Sequence, residues 1–140
     1  MRGYGSALTN RPLKDDEIFT VRLDKKEARK GYVLGIGVTT HSPETLDVPN
    51  HLYYMKSGVW MFYHNHLYLN GNVVNKNYAN IDLKHVMVGQ TVGVMRSRYG
   101  NLHLFVNGVD QGPAASNMPK TVWGAFDLHG DALQATIVNV

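Results

Sequence analysis

The 140-residue sequence contains no cysteine, which excludes disulfide staples, thiolate nucleophiles and the cysteine-ligated zinc sites of RING and zinc-finger modules. Any zinc chemistry would have to rest on histidine and carboxylate. Long apolar runs are missing too: no window of ~18 residues reads as a membrane-crossing helix, and the N-terminal MRGYGSALTN lacks the apolar stretch of a secretory signal. The expected location is cytoplasmic, with no integral membrane segment. Charge of one sign is scarce. The net charge is +3, and much of the excess sits in Lys25, Lys26, Arg29 and Lys30, interrupted by Glu27. With no second basic cluster or stacking platform beside it, that run reads as a solvated hairpin loop between Leu23 and Tyr32, and no nucleic-acid partner is expected.

Helix signals are nearly absent, while fourteen glycines and several β-branched and aromatic runs separated by turn residues argue for an all-β chain. A chain of this length supports one core that buries roughly two thirds of its unfolded surface, so residues 1–140 are expected to form a single domain. Phe19, Val21 and Leu23 alternate with Thr20 and Arg22, and Tyr32, Leu34, Ile36 and Val38 repeat the pattern, so these two segments are expected to pair. Ser42 to Pro49 offers an N-cap serine and Pro43 at the first helical position, but Pro49 limits it to one or two turns.

Asn70-Gly71 and Asn107-Gly108 each signal a type I′ hairpin, whose two central residues need positive φ. The first lies in a block of Val59 to Tyr63, His64-Asn65-His66, Leu67 to Leu69 and Asn72 to Val74. The second follows Thr91 to Ser97, a turn at Arg98 to Asn101, and Leu102 to Val106. Setting Ser97 opposite Leu102 and Met95 opposite Leu104 predicts a core face of Gly93, Met95, Leu102, Leu104, Val106 and Val109. Val92, Val94, Arg96, His103, Phe105 and Asp110 then share the other face. Trp123 to Asp127 and Gln134 to Val138 read as two closing strands around Gly130, with Trp123 in the core.

Several stretches resemble the Neuralized homology repeat of Neuralized-type proteins. They are Asn10-Arg11-Pro12-Leu13 ahead of Phe19 to Asp24, Gly37-Val38-Thr39-Thr40-His41 with Pro43, Ser57-Gly58 before Val59-Trp60-Met61, Val92 to Met95, Leu102 to Gly112, and Asp127-Leu128 with Gly130. They follow the family's order over nearly the whole chain. Leu102 to Gly112 is shared more loosely with SPRY-type sandwiches, whereas the Asn10 and Gly37 blocks point to the repeat. The resemblance implies an antiparallel β-sandwich of the SPRY, concanavalin-like jelly-roll kind that binds protein and performs no chemistry. In Neuralized proteins such repeats hold partners, among them the cytoplasmic tails of Notch ligands through asparagine-containing motifs, while a separate RING domain provides ubiquitin ligase activity. This chain would be the recognition part only. It starts almost on the first matching residue, so the repeat is expected to be shortened at its N-terminal side. A trimmed boundary, a substitute first strand or an edge paired with another copy would each fit. His64-Asn65-His66 is also bulkier than the glycine-rich turn expected there.

Candidates for chemistry are thin. His64 and His66, two apart on a strand, would point to one side and grip a metal, but no third ligand is near, so neither metal nor other cofactor is expected. Ser42, Ser57, Ser97 and Ser116 sit in no Gly-x-Ser-x-Gly elbow, and Asp15, Asp16 and Glu17 read as an exposed turn. An enzyme is therefore not expected. Of the aromatic cluster, Trp60 and Phe62 share one side and Met61 and Tyr63 the other, leaving open which pair is buried. Sandwich end loops carry recognition. Here they are Asn10 to Asp16, Thr39 to Pro49, Met55 to Gly58 and Arg98 to Asn101. Within or beside them, Arg11, His41, Tyr54, Arg98 and Tyr99 are expected at a protein- or peptide-binding surface, the cationic side chains and His41 supplying donors. A lectin-like, glycan-binding sandwich is the alternative.

Overall fold

The structure, a computed structural model, describes residues 2–26, 33–44 and 57–139. Among these residues there are ten strands: β1 (Arg2–Leu8), β2 (Ile18–Lys25), β3 (Val33–Thr39), β4 (Val59–Tyr63), β5 (His66–Leu69), β6 (Asn72–Asn75), β7 (Thr91–Arg96), β8 (Leu102–Val106), β9 (Val109–Ala115) and β10 (Trp123–Asn139). Among the described residues the one helical element is a single 3-10 turn, Leu83–His85. The fold is all-β and every strand pairing is antiparallel.

Two layers share β10. Its first half, Trp123 to His129, runs beside β3, with β1 on the other side of Ala125 to His129, and its second half, Gln134 to Asn139, pairs with β2. One layer therefore reads β6-β5-β4-β3-β10-β1 and the other β10-β2-β7-β8-β9. The two closing strands expected around Gly130 are one extended run with two sets of partners. For the same reason β2 and β3 do not pair as their matching alternation suggested, because β10 lies between them. Their shared pattern instead reflects a shared core, with Phe19, Val21 and Leu23 facing the same interior as Leu34, Ile36 and Val38. The basic connection at 27–32 and most of the helical turn expected at 42–49 lie outside the described residues.

Both Asn-Gly turns form as expected, with φ of 52° and 85° at Asn70 and Gly71 and of 52° and 77° at Asn107 and Gly108. Each asparagine also clasps the next strand over. Asn70 donates its backbone N–H to the Val59 carbonyl (2.8 Å) and accepts the Val59 N–H on Oδ1 (3.0 Å). Asn107 does the same to Thr91, at 2.9 and 3.0 Å. The side chain thus completes a ladder rung beyond the end of its own strand.

The β7–β8 register departs from the expectation by one residue. Arg96 faces Leu102, Val94 faces Leu104 and Val92 faces Val106. The connecting turn spans 97–101, closed by the Ser97 N–H on the Asn101 carbonyl at 2.8 Å, with Gly100 at φ 80°. A slip of one moves every β7 side chain to the opposite face. Val92, Val94 and Arg96 therefore face inward with Leu102, Leu104 and Val106, while Gly93 and Met95 take the outer face. Val109, expected inside, is 62% exposed at the hairpin tip.

The main core lies between the layers around Phe19, Ile36, Phe62, Leu104, Phe126 and Leu128. A second cluster, Val59, Met61, Tyr63 and Ala125, sits on the outer face of the first layer, so β4 buries side chains on both sides and leaves Trp60 half-buried. Trp123 is also half-buried, contrary to its expected core position. It shares the outer face with Ala125 and occupies the first position of β10, where the layer ends.

Glycine at position 35 permits a polar tie across that outer face. A Cβ there would lie 2.2 Å from the Tyr63 ring, which crosses β3 at this point. The Tyr63 hydroxyl donates to Oδ2 of fully buried Asp127 at 2.5 Å, and the Ser6 hydroxyl donates to Oδ1. Strands β1, β10, β3 and β4 are thereby joined in one row. Along one open side of the sandwich, Asn75 Nδ2 donates to the Ala114 carbonyl (3.0 Å) and the Tyr78 hydroxyl to that of Gly112. Along the other side, between β1 and the second half of β10, lies an apolar cavity of about 310 Å³ lined by Ala7, Val21, Phe126, Ala135, Thr136 and Ile137.

A methyl group at position 37 would fall 1.8 Å from the Trp60 carbonyl oxygen and 2.8 Å from the Met61 Cα, both backbone atoms with little room to yield. Gly37→Ala is expected to lose about 3 kcal/mol or more in a urea titration. Gly108→Ala meets no atom within 4 Å and suffers only its positive φ, so it should lose about 1 kcal/mol.

Candidate binding site

At one end of the sandwich β1, β3, β7 and β9 finish while β2, β4, β8 and β10 begin. The connections gathered there are 9–17, the described ends of the β3–β4 link, 97–101 and 116–122. Buried Thr9 anchors the first of them: its N–H donates to the Gly124 carbonyl (2.9 Å) and its Oγ1 accepts the Gly124 N–H (3.0 Å). The Leu13 N–H then donates to the Val122 carbonyl at 2.8 Å.

Asp15, Asp16 and Glu17 form the turn expected of them, yet each carboxylate takes a different arginine. Glu17 accepts both Nη groups of Arg11, at 2.6 and 2.7 Å. Asp16, in the left-handed region at φ 63°, accepts the Arg98 backbone N–H at 2.9 Å and its Nε at 2.6 Å. Asp15 accepts Arg96 Nη1 at 3.0 Å. The Arg11 hydrogen bonds pull the Glu17 carboxyl down to about 2. Those from the backbone and side chain of Arg98 likewise lower Asp16.

Arg96 is the hub. Its side chain is 8% exposed, and besides Asp15 it donates from Nε to the Pro119 carbonyl (2.8 Å), from Nη1 to Ser97 (3.2 Å) and from Nη2 to Met118 (3.3 Å). A further bond joins the Met118 N–H to the Gly100 carbonyl at 2.9 Å. One guanidinium thus holds the 14–17, 97–101 and 116–119 segments together. The register slip put it there, since the expected pairing placed Arg96 on the mixed outer face.

Of the expected surface residues, Arg11, Arg98 and Tyr99 come together on these loops, with Arg98 66% and Tyr99 83% exposed. His41 lies at the same end but on the first layer. Its Nε2 is 2.9 Å from the Ser57 carbonyl, which can only accept, so Nε2 carries the ring proton. Tyr54 lies outside the described residues. Arg96, Asp16 and Glu17 were not singled out as site residues; their arginine–carboxylate pairs mostly join positions far apart in the chain, and only Arg11 and Glu17 are local enough to suggest pairing.

The His-x-His pair is not carried on one strand. His64 sits in the turn at φ 56°, its Nδ1 3.6 Å from Asp82. His66 opens β5, accepts the Asn77 N–H on Nδ1 at 2.9 Å, and stacks obliquely near Tyr68 with ring centres 6.2 Å apart. Among the described residues no three His, Asp or Glu side chains are grouped to hold a metal. None of the described helices is long and apolar enough to cross a membrane.

Comparison with known proteins gives the same architecture. The family model described as Neuralized matches residues 2–139. The crystal structure of the Drosophila melanogaster neuralized-NHR1 domain superposes with a TM-score of 0.66 at 14% identity, covering 100% of this chain and 83% of that one. The SPRY domain of human HERC1 gives 0.65 at 14%, covering 99% and 86%. The solution structure of the NEUZ (NHR) domain in Drosophila melanogaster Neuralized gives 0.58 at 13%, covering 96% and 88%. At such identities the likeness establishes the fold, an antiparallel sandwich of the SPRY kind.

Because the folded-state pKa values of Asp16 and Glu17 are depressed, their stabilisation is complete above the ordinary carboxylate range and is lost as pH falls through the lowered values, about 2 in the case of Glu17. A melting series should therefore decline below about pH 4.5, and less steeply in Glu17→Gln. Arg96→Met removes the donors of three buried or part-buried carbonyls and should lose about 2–4 kcal/mol in chemical denaturation. Arg98→Ala, at the surface, should shift the same denaturation curve little.

Proposed function

Because the chain belongs to the Neuralized family, we propose that it is a protein-interaction module whose cross-linked end loops hold a short segment of a partner protein. The observation that carries this reading is the turn presenting Arg98 and Tyr99. The turn is exposed at its tip yet tied at its base by Asp16, Arg96 and Gly100, so little ordering is required when a partner arrives. Arg11, His41, Arg98 and Tyr99 are the described residues assigned to the surface. The setting that fits is cytoplasmic substrate recognition for a ubiquitin ligase whose RING domain is separate, or a scaffold, with residues 1–140 acting as one repeat and performing no catalysis. Self-association would use the edge of β10 beyond Gln134, which borders the apolar cavity and carries Ile137 and Val138 at 41% and 51% exposure.

A pull-down with the cytoplasmic tail of a Notch ligand is the direct test. Wild-type protein should retain the tail, and joint replacement of Arg11, His41, Arg98 and Tyr99 by alanine should reduce capture at least about tenfold while the melting curve shows a folded protein. Undiminished capture by the quadruple variant would move the site elsewhere. Binding on a glycan array with no peptide binding would favour the lectin-like alternative. Light scattering counts the chains, and any dimer formed through the β10 edge should dissociate in Val138→Lys.

A further inference from the structure

Two of the three rim arginines engage both of their Nη groups. Arg11 gives both Nη groups to Glu17, with Nη1 also reaching the Pro12 carbonyl, and Arg96 is surrounded by acceptors. Arg98 differs. Its backbone N–H and Nε occupy the two oxygens of Asp16, and neither Nη1 nor Nη2 has a hydrogen-bond partner among the described residues. The guanidinium is pinned along one edge and open at its end. That open end carries parallel N–H groups spaced to fork onto a carboxylate. Tyr99, the next residue, adds a flat apolar surface at 83% exposure. On the adjoining loops Lys14 and Lys120 are exposed and make no ion pair among the described residues. Loops 9–17, 97–101 and 116–122, with Arg96 at the end of β7, therefore hold five cations, Arg11, Lys14, Arg96, Arg98 and Lys120, against three carboxylates, Asp15, Asp16 and Glu17, while Glu44 lies on the described end of the β3–β4 link.

Building on the reading of this rim as a protein-binding site, we propose that the segment it accepts is acidic. An aspartate or glutamate side chain docks end-on against Nη1 and Nη2 of Arg98, Tyr99 packs alongside it, and Lys14 and Lys120 flank the neighbouring positions. An asparagine or glutamine in the same place offers one acceptor oxygen and turns an NH₂ group toward the guanidinium, so it makes one bond where a carboxylate makes two. Among the described residues a nucleic acid finds one exposed aromatic, Tyr99, and no track of cations, which does not match a phosphate backbone.

Two fluorescein-labelled pools of peptides about ten residues long test the assignment by fluorescence anisotropy. They are identical at their apolar positions, and one carries Asp and Glu where the other carries Asn and Gln. The acidic pool should bind about tenfold more tightly or better, and its advantage should shrink as salt is raised from about 0.05 to 0.5 M. Arg98→Ala should bring the two pools within about twofold of each other by weakening the acidic pool more than the amide pool, and folded Lys14→Glu/Lys120→Glu protein should lose the preference as well. Equal affinity for both pools in the wild-type protein would overturn the acidic assignment and leave the interaction module standing. Failure to bind either pool would count against both. A single-stranded oligonucleotide of equal charge that bound as tightly, with the same dependence on Arg98, would reduce the effect to general attraction of anions and overturn the assignment.

Discussion

A guanidinium removed from water must find acceptors for its N–H groups or forfeit the cost of their lost hydration, and Arg96 meets that demand by drawing three loops inward. The carbonyls of Ser97, Met118 and Pro119 and the carboxylate of Asp15 all converge on it from different parts of the chain. The loops are consequently not independent decorations on a β scaffold. Any shift of the 97–101 turn pulls against the 116–119 segment, and the turn that displays Arg98 and Tyr99 inherits its fixity from a side chain lying beneath it. The turn is braced by a polar, buried group beneath it and not by packing of its own exposed residues.

The first layer uses the same logic with an acceptor in place of a donor. Asp127 is buried and receives hydroxyls from Tyr63 and Ser6, and the tyrosine reaches it only because β3 has a glycine where the ring must cross. Each buried polar side chain thus recruits neighbours that are remote in sequence, and in both cases a local backbone feature makes room for the contact. At Gly35 that feature is a missing Cβ. At Arg96 it is the five-residue turn that rotates the end of β7 inward.

The legible parts of the fold were those in which cause and effect are adjacent in the chain. Asn70-Gly71 and Asn107-Gly108 specify their turns through the φ values of two neighbouring residues, and the alternation of β2, β3 and β8 gives their buried sets directly. Position-specific pairing was less legible. The match between Phe19–Leu23 and Leu34–Val38 suggested a hairpin, but alternation states which face is apolar and is silent about which strand lies alongside; β10 arrives from the far end of the chain to separate them. The β7–β8 register turned on whether Ser97 to Asn101 closes as an odd or an even loop, which composition does not determine, and the error carried Arg96 to the wrong face. At the rim, exposure and residue type were enough to bring Arg11, Arg98 and Tyr99 to notice. The partners of the acidic turn were not, because two of its three arginines lie on and just beyond β7.

Strand β10 belongs to both layers, and this has a bearing on how the chain reaches its native state. The meanders β4-β5-β6 and β7-β8-β9 contain their own turns and can assemble from contacts close in sequence, on the fast timescale of hairpins. Joining them is another matter, since β10 must locate β3 and β2 across most of the chain and follows the other nine strands in sequence. Until it does, the apolar faces of two half-built sheets stand without their common seam. In that interval exposed apolar faces can associate with those of other chains, a hazard that follows from the order in which the strands are made and not from the stability of the finished sandwich.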